Sequence, residues 1–302
     1  MDFGGKKRIT LNGEPYLFNG LLDQGYFPDG IFLPATSDGY KEDILTAKAL
    51  GFNMLRKHIK IEPECFYYLC DTLGMAVFQD AVNNSDYSFL RDTLLPTIGL
   101  KRLSDKKLHK CKRARKIFTE TALGMTAHLY NHPSVLYYTI FNEGWGQFSA
   151  DEVYKIVKDS DKTRIIDATS GWFIRHKSDV ESHHVYFKKL KAKSPRKRPV
   201  VISEFGGYSH RCEGHLFGDK NYGYKTFKSR EEFEENVKKL YLCEVLPLVK
   251  KGVSALVYTQ ISDVEDETNG FLTYDRRVLK VNPETFAEIS KSLQEASKEN
   301  AK

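Results

Sequence analysis

The sequence predicts an α/β protein built as a (β/α)8 TIM barrel. Eight short apolar runs alternate along the chain with amphipathic stretches that indicate helices. Such alternation is typical of parallel βαβ units. The 302 residues leave room for a barrel of about 250 residues with insertions. A doubly wound sheet is the main competing fold, but its Gly-x-Gly-x-x-Gly turn is absent. We therefore expect residues 1–302 to form a single barrel domain.

The predicted strands are short apolar runs, each of a length typical of strands in globular proteins. In chain order they cover residues 16–22, 52–58, 75–80, 135–142, 164–169, 180–187, 199–204 and 253–260.

Five helices are predicted between and after these strands. Glycine is favoured just beyond a helix C-terminus, and it marks the end of the first two helices, at Gly51 for residues 38–51 and at Gly74 for residues 64–73. The other predicted helices cover residues 114–131, 229–252 and 282–299.

The positive charge of the chain is concentrated in two segments. Lys and Arg number 46 against 40 Asp and Glu, for a formal net charge of +6. Residues 101–116 carry nine basic side chains and one acid, and residues 188–198 carry seven basic side chains and no acid. A basic patch is one signature of nucleic-acid binding, but no helix-turn-helix, zinc-finger or RNA-binding motif accompanies it. We interpret both segments as solvated insertions between barrel elements and expect no nucleic-acid partner.

The composition also bears on membranes, compartment and metals. No run of about 18 apolar residues occurs, so we predict neither a transmembrane helix nor a membrane partner. The amino-terminal segment lacks the apolar stretch of a secretory signal. Five scattered cysteines indicate a reducing compartment rather than a disulfide framework, so we expect a cytoplasmic location. The segment HRCEGH has no zinc-ligand spacing, and we expect no metal or other cofactor.

Polar side chains recur where the predicted strands end. In a (β/α)8 barrel this edge of the strands carries the active site. Residues two apart on a strand share a face, which places Arg56 with His58 and His184 with Tyr186. The candidate site residues at or just beyond the strand ends are Arg56, His58, Asp80, Asn142, Glu143, Trp145, His184, Tyr186 and Glu204.

Glu143 and Glu204 stand out because each follows an apolar run, where an unpaired carboxylate is costly. Glycoside hydrolysis needs two carboxylates on either side of the sugar, one protonated and one ionised. The fourth and seventh strands of a closed barrel can face each other across its mouth. A cation beside one carboxylate and a His or Tyr beside the other would separate their pKa values. On spacing alone, a structural role for both glutamates as salt-bridge partners of Arg56 or of loop lysines stays open.

Several segments resemble glycoside hydrolase family 2, which holds β-galactosidases, β-glucuronidases and β-mannosidases. FNEGWG and VISEFGG are similar to that family's acid/base and nucleophile signatures. ITLNGEPYLFNGLLDQGY is similar to its barrel entry, and DILTAKALGFNMLRKHIKIEPECFYYLCDTLGMAVFQD to its second and third βα units. YTQISDVEDETNGFLTYDRR is similar to its last strand and the following loop. The likeness covers nearly the whole chain.

The resemblance implies a retaining β-glycosidase that acts on terminal β-linked sugars, with a β-galactoside as the default substrate. Glu143 would be the general acid/base, and Glu204 the nucleophile that forms a glycosyl-enzyme intermediate. The resemblance also implies that Asn142 hydrogen-bonds the sugar 2-hydroxyl, and that Arg56 and Tyr186 hold the Glu204 carboxylate. The remaining candidates for the sugar subsite are His58, Asp80, Trp145 and His184.

The chain also departs from the pattern of the family. Members of this kind carry a jelly-roll and an immunoglobulin-like domain before the barrel, so we expect a catalytic domain excised from a longer glycosidase. The family's β-glucuronidases place an Asn-x-Lys motif after the eighth strand, whereas this chain has Asn269-Gly270-Phe271, which disfavours a glucuronide. Many members have a Trp on that strand, where this chain has Tyr258 and Gln260. The alternative is a non-catalytic carbohydrate-binding barrel or an inactive fragment.

Overall fold

A computed structural model of the chain describes residues 1–83, 88–94, 105–107, 109–171, 177–191 and 197–299. Eight parallel strands form a nearly closed barrel, which confirms the predicted TIM-barrel fold. The strands are β1 Phe18–Asp23, β2 Met54–Lys57, β3 Ala76–Asp80, β4 Val135–Asn142, β5 Ile165–Ser170, β6 Glu181–Val185, β7 Val200–Gly206 and β8 Ala255–Thr259.

Strands that are neighbours in the chain are also neighbours in the barrel. β1 pairs with β2, and the ladder continues in order to β5, while β8 pairs with both β1 and β7, and β7 with β6. Where β5 meets β6, the Ser182 hydroxyl donates to the Thr169 carbonyl oxygen at 3.2 Å. All eight carboxyl ends therefore open at one rim.

Helices cover the outside of the barrel. They are α1 Ser37–Ala49, α2 Glu64–Leu73, α3 Lys112–His128, α4 Ala150–Ser160, α5 Arg230–Leu240, α6 Leu246–Lys251 and α7 Pro283–Glu299, with a π-helical turn at Tyr241–Val245 between α5 and α6. Further short elements are a π-helical turn at Phe89–Leu94, a 3-10 turn at Asp105–Lys107, and the strand pairs Asp2–Phe3 with Lys6–Lys7, Thr10–Leu11 with Glu14–Pro15, and Tyr208–His210 with Lys225–Phe227.

The helix ends follow from local chemistry. Gly74 ends α2 in the left-handed region at φ 68°, where a residue without a Cβ atom is least strained. At the start of α5, the Ser229 hydroxyl accepts the Glu232 backbone N–H at 3.2 Å, a side-chain N-cap. Helix α4 was not predicted from the sequence, although Val153 and Val157 lie one turn apart and are both buried.

The core has two layers. Inside the barrel, alternate strand residues such as Phe78 and Tyr137 stack with ring centroids 4.2 Å apart. The larger layer lies between the strands and the helices, and the outward-facing residues of the same strands contribute to it. Ile9 belongs to the inner layer, and its N–H donates to the Ser254 hydroxyl at 3.2 Å, just before β8 begins. This end of the barrel is thus filled with side chains, and the opposite rim is left to carry polar groups.

The two basic segments are described only in part. Residues 101–104 and 108 of the first, and residues 192–196 of the second, lie outside the described residues. The end of the first segment is not an insertion but the start of α3, where Lys112 and Arg113 are exposed. Among the described helices, none is long and apolar enough to cross a membrane.

Candidate active site

Arg56 is the centre of the polar cluster at the barrel mouth. It lies two residues after Met54 on β2 and therefore points inward, with a side chain only 1% exposed. Its Nε donates to Asp80 Oδ1 at 3.0 Å, and its Nη1 donates to Glu204 Oε1 at 2.9 Å. Its Nη2 donates to Asn142 Oδ1 at 2.8 Å. One buried guanidinium thus joins the ends of β2, β3, β4 and β7.

Asp80 and His58 extend this cluster. The second carboxylate oxygen of Asp80 lies 3.0 Å from His58 Nδ1. Burial raises the pKa of Asp80, but the Arg56 charge and the His58 hydrogen bond outweigh it and lower that pKa to about 2. Burial lowers the pKa of His58, but Asp80 and the Glu204 charge outweigh it and raise that pKa. Asp80 is therefore an anion that holds both Arg56 and His58 as partners.

Glu204 is held by donors on several strands. Besides the Arg56 contact, its Oε2 accepts a hydrogen bond from the Tyr186 hydroxyl and lies 3.2 Å from His184 Nδ1. The pairing of β7 with β8 shifts register between Ile202 and Phe205. This irregularity lets the backbone carbonyl of Ser203 and the carboxylate of Glu204 both accept from Arg56 Nη1.

Glu143 occupies a tight turn directly after β4. Its backbone has φ 51°, and its N–H donates to the Ser170 carbonyl oxygen at 2.8 Å. The side chain is 19% exposed, against 5% for that of Glu204. Trp145 lies in the same turn and is partly buried, and its backbone N–H donates to the Asn142 carbonyl oxygen at 3.0 Å. Glu143 is thus the more solvent-accessible of the two carboxylates.

His184 lies between the two glutamates. Its Nδ1 is 2.9 Å from Glu143 Oε1 and 3.2 Å from Glu204 Oε2. Its Nε2 lies 2.7 Å from the Ser170 hydroxyl and 3.4 Å from Arg56 Nη1. Burial lowers the pKa of His184 to about 3, so the ring is neutral. Arg56 can only donate, and Nδ1 faces two carboxylate oxygens, so both contacts favour the tautomer with its proton on Nδ1.

The carboxylates of Glu143 and Glu204 lie close together. One ligand atom each from Glu143, His184 and Glu204 falls within 4.8 Å of the others. Two carboxylates at this spacing can act on opposite ends of one bond, and the same three atoms could also hold a metal ion. The absence of a metal requirement therefore stays a prediction.

The conformations of two glycines allow the aromatic packing beside Glu204. The Tyr186 ring stacks on Tyr224 with centroids 3.9 Å apart. A Cβ atom on Gly207 would lie 2.3 Å from the Tyr224 ring, and Gly207 has φ 62°. A Cβ atom on Gly206, at φ 86°, would meet Tyr258 at the same distance. The double glycine after Glu204 is therefore required by close ring packing.

The residues at the end of β8 point in different directions. Tyr258 points away from the mouth and packs against Phe271, with centroids 4.7 Å apart. Thr259 faces the site instead, and its hydroxyl lies 2.9 Å from the Tyr186 hydroxyl. Gln260 follows, and its amide hydrogen-bonds Glu267 at 2.9 Å.

The structure gathers most of the predicted residues into one hydrogen-bonded cluster and adds some that the sequence analysis missed. Arg56, His58, Asp80, Asn142, Glu143, His184, Tyr186 and Glu204 are joined by the contacts above, and Trp145 is placed next to them in the Glu143 turn. The added residues, which were not among the predicted site residues, are Ser170, Ser203, Tyr224, Thr259, Gln24, Gln260 and Glu267. Ser170 carried a usable signal, because it ends a strand.

In this (β/α)8 barrel, two carboxylates and an arginine lie at the carboxyl-terminal mouth, which is where enzymes of this fold carry their active site. The chain belongs to glycoside hydrolase family 2, because the model for "Glycosyl hydrolases family 2, TIM barrel domain" matches residues 5–269.

Two relatives of the chain are β-galactosidases. The chain is 29% identical over 167 residues to a β-galactosidase of Aeromonas hydrophila, a match that covers 54% of this chain and 14% of that protein. It is 23% identical over 235 residues to one of Leuconostoc mesenteroides, covering 71% of this chain and 20% of that protein. The chain therefore spans a small part of these relatives' length.

Solved structures share the fold. A family 2 β-galacturonidase from Eisenbergiella tayi, bound to galacturonate, aligns with a TM-score of 0.64 and 20% identity, over 95% of this chain and 53% of that one. A β-D-glucuronidase from Dictyoglomus thermophilum aligns with a TM-score of 0.68 and 16% identity, over 96% and 54% of the two chains. At these identities the similarity establishes the fold alone.

Proposed function

We propose that the chain is the catalytic domain of a retaining β-glycosidase, with Glu143 as the general acid/base and Glu204 as the nucleophile. The observation that carries this proposal is that one carboxylate oxygen of Glu143 and one of Glu204 lie within 4.8 Å of each other, in unlike surroundings. A retaining glycosidase places its carboxyl groups about 5–5.5 Å apart, and an inverting one about 6.5–9.5 Å apart. Glu204 lies against a buried cation, whereas Glu143 is more accessible to solvent and to a leaving group.

In the first step, a carboxylate oxygen of Glu204 attacks the anomeric carbon, and the bond from that carbon to the glycosidic oxygen breaks. The departing oxygen takes the proton of Glu143. The Arg56 guanidinium donates to one oxygen of Glu204, and the Tyr186 hydroxyl orients the other. The products of this step are a glycosyl ester on Glu204 and the free alcohol.

In the second step, the Glu143 carboxylate takes a proton from water as the water oxygen attacks the anomeric carbon. The ester bond to Glu204 breaks, and the carboxylate returns to its Arg56 partner. Two displacements at the same carbon retain its configuration. The N–H on His184 Nδ1, which lies near both carboxylates, can follow the negative charge from one to the other.

The remaining polar groups support a sugar subsite. The Oδ1 of Asn142 accepts from Arg56, so its NH2 group is the donor available for the sugar 2-hydroxyl. The Asp80 anion holds His58 at the rim, and Trp145 offers an aromatic surface for an apolar sugar face. A terminal β-galactoside is the substrate we propose, supported by the relatives named β-galactosidase. The solved structures named galacturonidase and glucuronidase raise uronides as a second class.

We further propose that this domain works beside upstream jelly-roll and immunoglobulin-like domains in a longer, cytoplasmic protein. The small share of the β-galactosidases that it spans supports this arrangement.

The test is a panel of nitrophenyl β-glycosides, assayed with this chain and with the longer protein. We expect release of nitrophenol by the wild-type protein and none by Glu204→Ala. Binding of a sugar without turnover by any form would instead support the non-catalytic carbohydrate-binding barrel.

A further inference from the structure

Glu267, in the loop after β8, is a third carboxylate near the proposed catalytic pair. Its Oε2 accepts from Gln260 Nε2 at 2.9 Å, from Gln24 Nε2 at 3.2 Å and, at the longer distance of 3.4 Å, from Asn269 Nδ2. Its Oε1 has no hydrogen-bond partner in the described part of the chain. Three amides thus fix one oxygen of the carboxylate and leave the other as an acceptor without a donor.

This carboxylate lines a cavity of about 450 Å³ at the barrel mouth. Gln260, which donates to Glu267, directly follows Thr259, and the Thr259 hydroxyl lies 2.9 Å from the Tyr186 hydroxyl that binds Glu204, so the cavity lies beside the proposed catalytic pair. Besides Val264, its lining combines two aromatic rings, one amide and three acids: Tyr26, Tyr222, Gln24, Glu265, Asp266 and Glu267. No lysine or arginine is among the described residues that line it.

The basic residue Lys60 lies near this wall but cannot serve the cavity as a free cation. Its ammonium group is 5.9 Å from the centroid of the Tyr26 ring. The side chain is buried, donates to the backbone carbonyls of Gly25 and Phe32, and lies 2.9 Å from Glu62 Oε1. The carboxylate of a bound uronic acid would therefore lie beside acidic side chains in this cavity, with no free cation to pair with it among the described residues that line it.

The acids of the cavity do not form a metal site. Among the described residues, the one set of three His, Cys, Asp or Glu groups close enough to share an ion is Glu143, His184 and Glu204. The free acceptor on Glu267 therefore suits a hydroxyl donor of a bound ligand. Sugar hydroxyls supply such donors, and the apolar faces of sugars pack on rings such as Tyr26 and Tyr222.

We propose that Glu267 determines specificity by accepting a hydroxyl of a neutral glycoside and excluding uronides from the same position. This inference rests on the proposed glycosidase function. A uronide carboxylate in this cavity would offer no donor to Oε1 and would bring two like charges together.

The experiment compares kcat/KM for nitrophenyl β-galactoside and nitrophenyl β-galacturonide in the longer protein. Wild-type protein should favour the neutral substrate by more than about tenfold, because a site built to bind a hydroxyl rejects analogues that lack it. Glu267→Gln, of equal size, should lower kcat/KM for the galactoside about 10- to 100-fold and leave that for the galacturonide unchanged or higher. The control Glu213→Gln removes an exposed charge outside the cavity and should change neither.

The ratio of kcat/KM for the two substrates distinguishes a role in specificity from a structural role, because misfolding lowers both values together. A wild-type preference for the galacturonide, or an equal loss of both activities in Glu267→Gln, would overturn the inference while glycosidase function stands. If Glu265→Gln changes the ratio of kcat/KM for galactoside to that for galacturonide as much as Glu267→Gln does, the proposed contact of Glu267 with the sugar is wrong. Such a result would show a general effect of the negative charge of the cavity. If Glu204 is not labelled by a 2-deoxy-2-fluoro glycosyl fluoride of either class and no glycoside is hydrolysed, the proposed function fails, and the inference fails with it.

Discussion

Replacement of Arg56 by methionine should destabilise the protein strongly, because the arginine is the partner of two buried carboxylates. Its contacts to Asp80 and Glu204 are 3.0 and 2.9 Å long, and the side chains involved are at most 5% exposed. Removing one partner of a buried ion pair costs about 3–5 kcal/mol, since the remaining charge is left without compensation. We therefore expect Arg56→Met to lower the free energy of unfolding at pH 7 by about that amount.

The pKa of Asp80 predicts how this loss depends on pH. Its folded value of about 2 lies below the ordinary value of 3.8. A depressed carboxyl pKa adds stability above the ordinary value, and this contribution is lost as pH falls towards the folded value. The difference between wild type and Arg56→Met should therefore shrink between pH 5 and pH 3, by up to about 1 kcal/mol at 1.36 kcal/mol per pKa unit.

Urea unfolding monitored by circular dichroism measures both effects. The control is Arg113→Met, which removes an exposed arginine of α3 and should change the free energy of unfolding by less than about 0.5 kcal/mol. A loss below about 1 kcal/mol at pH 7 for Arg56→Met, or a difference that grows on acidification, would refute the reasoning that Arg56 holds these carboxylates.

Further predictions concern the two glutamates and their neighbours. With added azide, Glu204→Ala should yield a glycosyl azide of inverted configuration and Glu143→Ala one of retained configuration, as read by NMR; the opposite pairing would mean that the roles are exchanged. Tyr186→Phe removes the hydroxyl that binds Glu204, so kcat should fall about 10- to 100-fold with no comparable change in thermal stability. Gly207→Ala should lower the free energy of unfolding by about 1–3 kcal/mol, because its Cβ atom would lie 2.3 Å from the Tyr224 ring at a positive φ; an unchanged melting temperature would contradict this.

The elements of the fold were predictable because their signals are local. Each of the eight barrel strands overlaps its predicted run of apolar residues, and α2 begins and ends at the predicted residues. Gly74 and Ser229 marked helix ends through chemistry that acts within a few residues. The helix α4 was missed, although its buried valines repeat at helical spacing.

For the candidate site, the sequence predicted only which residues lie at the carboxyl ends of the strands, and not how they contact each other. A barrel brings the carboxyl ends of its strands to one rim, so Asp80, Asn142 and Glu204 could be expected to lie near each other. The hydroxyl groups of Ser170 and Thr259 contact the same cluster, but neither lies in a motif that marks it. Their roles depend on which of the last residues of each strand face into the barrel.

The sequence by itself determined the order of the elements, the inward and outward alternation of the strands, and the two glutamates at their ends. The tertiary structure alone decided which polar groups meet. Arg56 and Glu204 are 148 positions apart, and their contact depends on barrel closure and on the irregular register of β7. The Gln24, Gln260 and Glu267 cluster likewise joins the loops after β1 and β8. Such pairings depend on the stagger of strands around the barrel, which is a property of the closed sheet and not of any one segment.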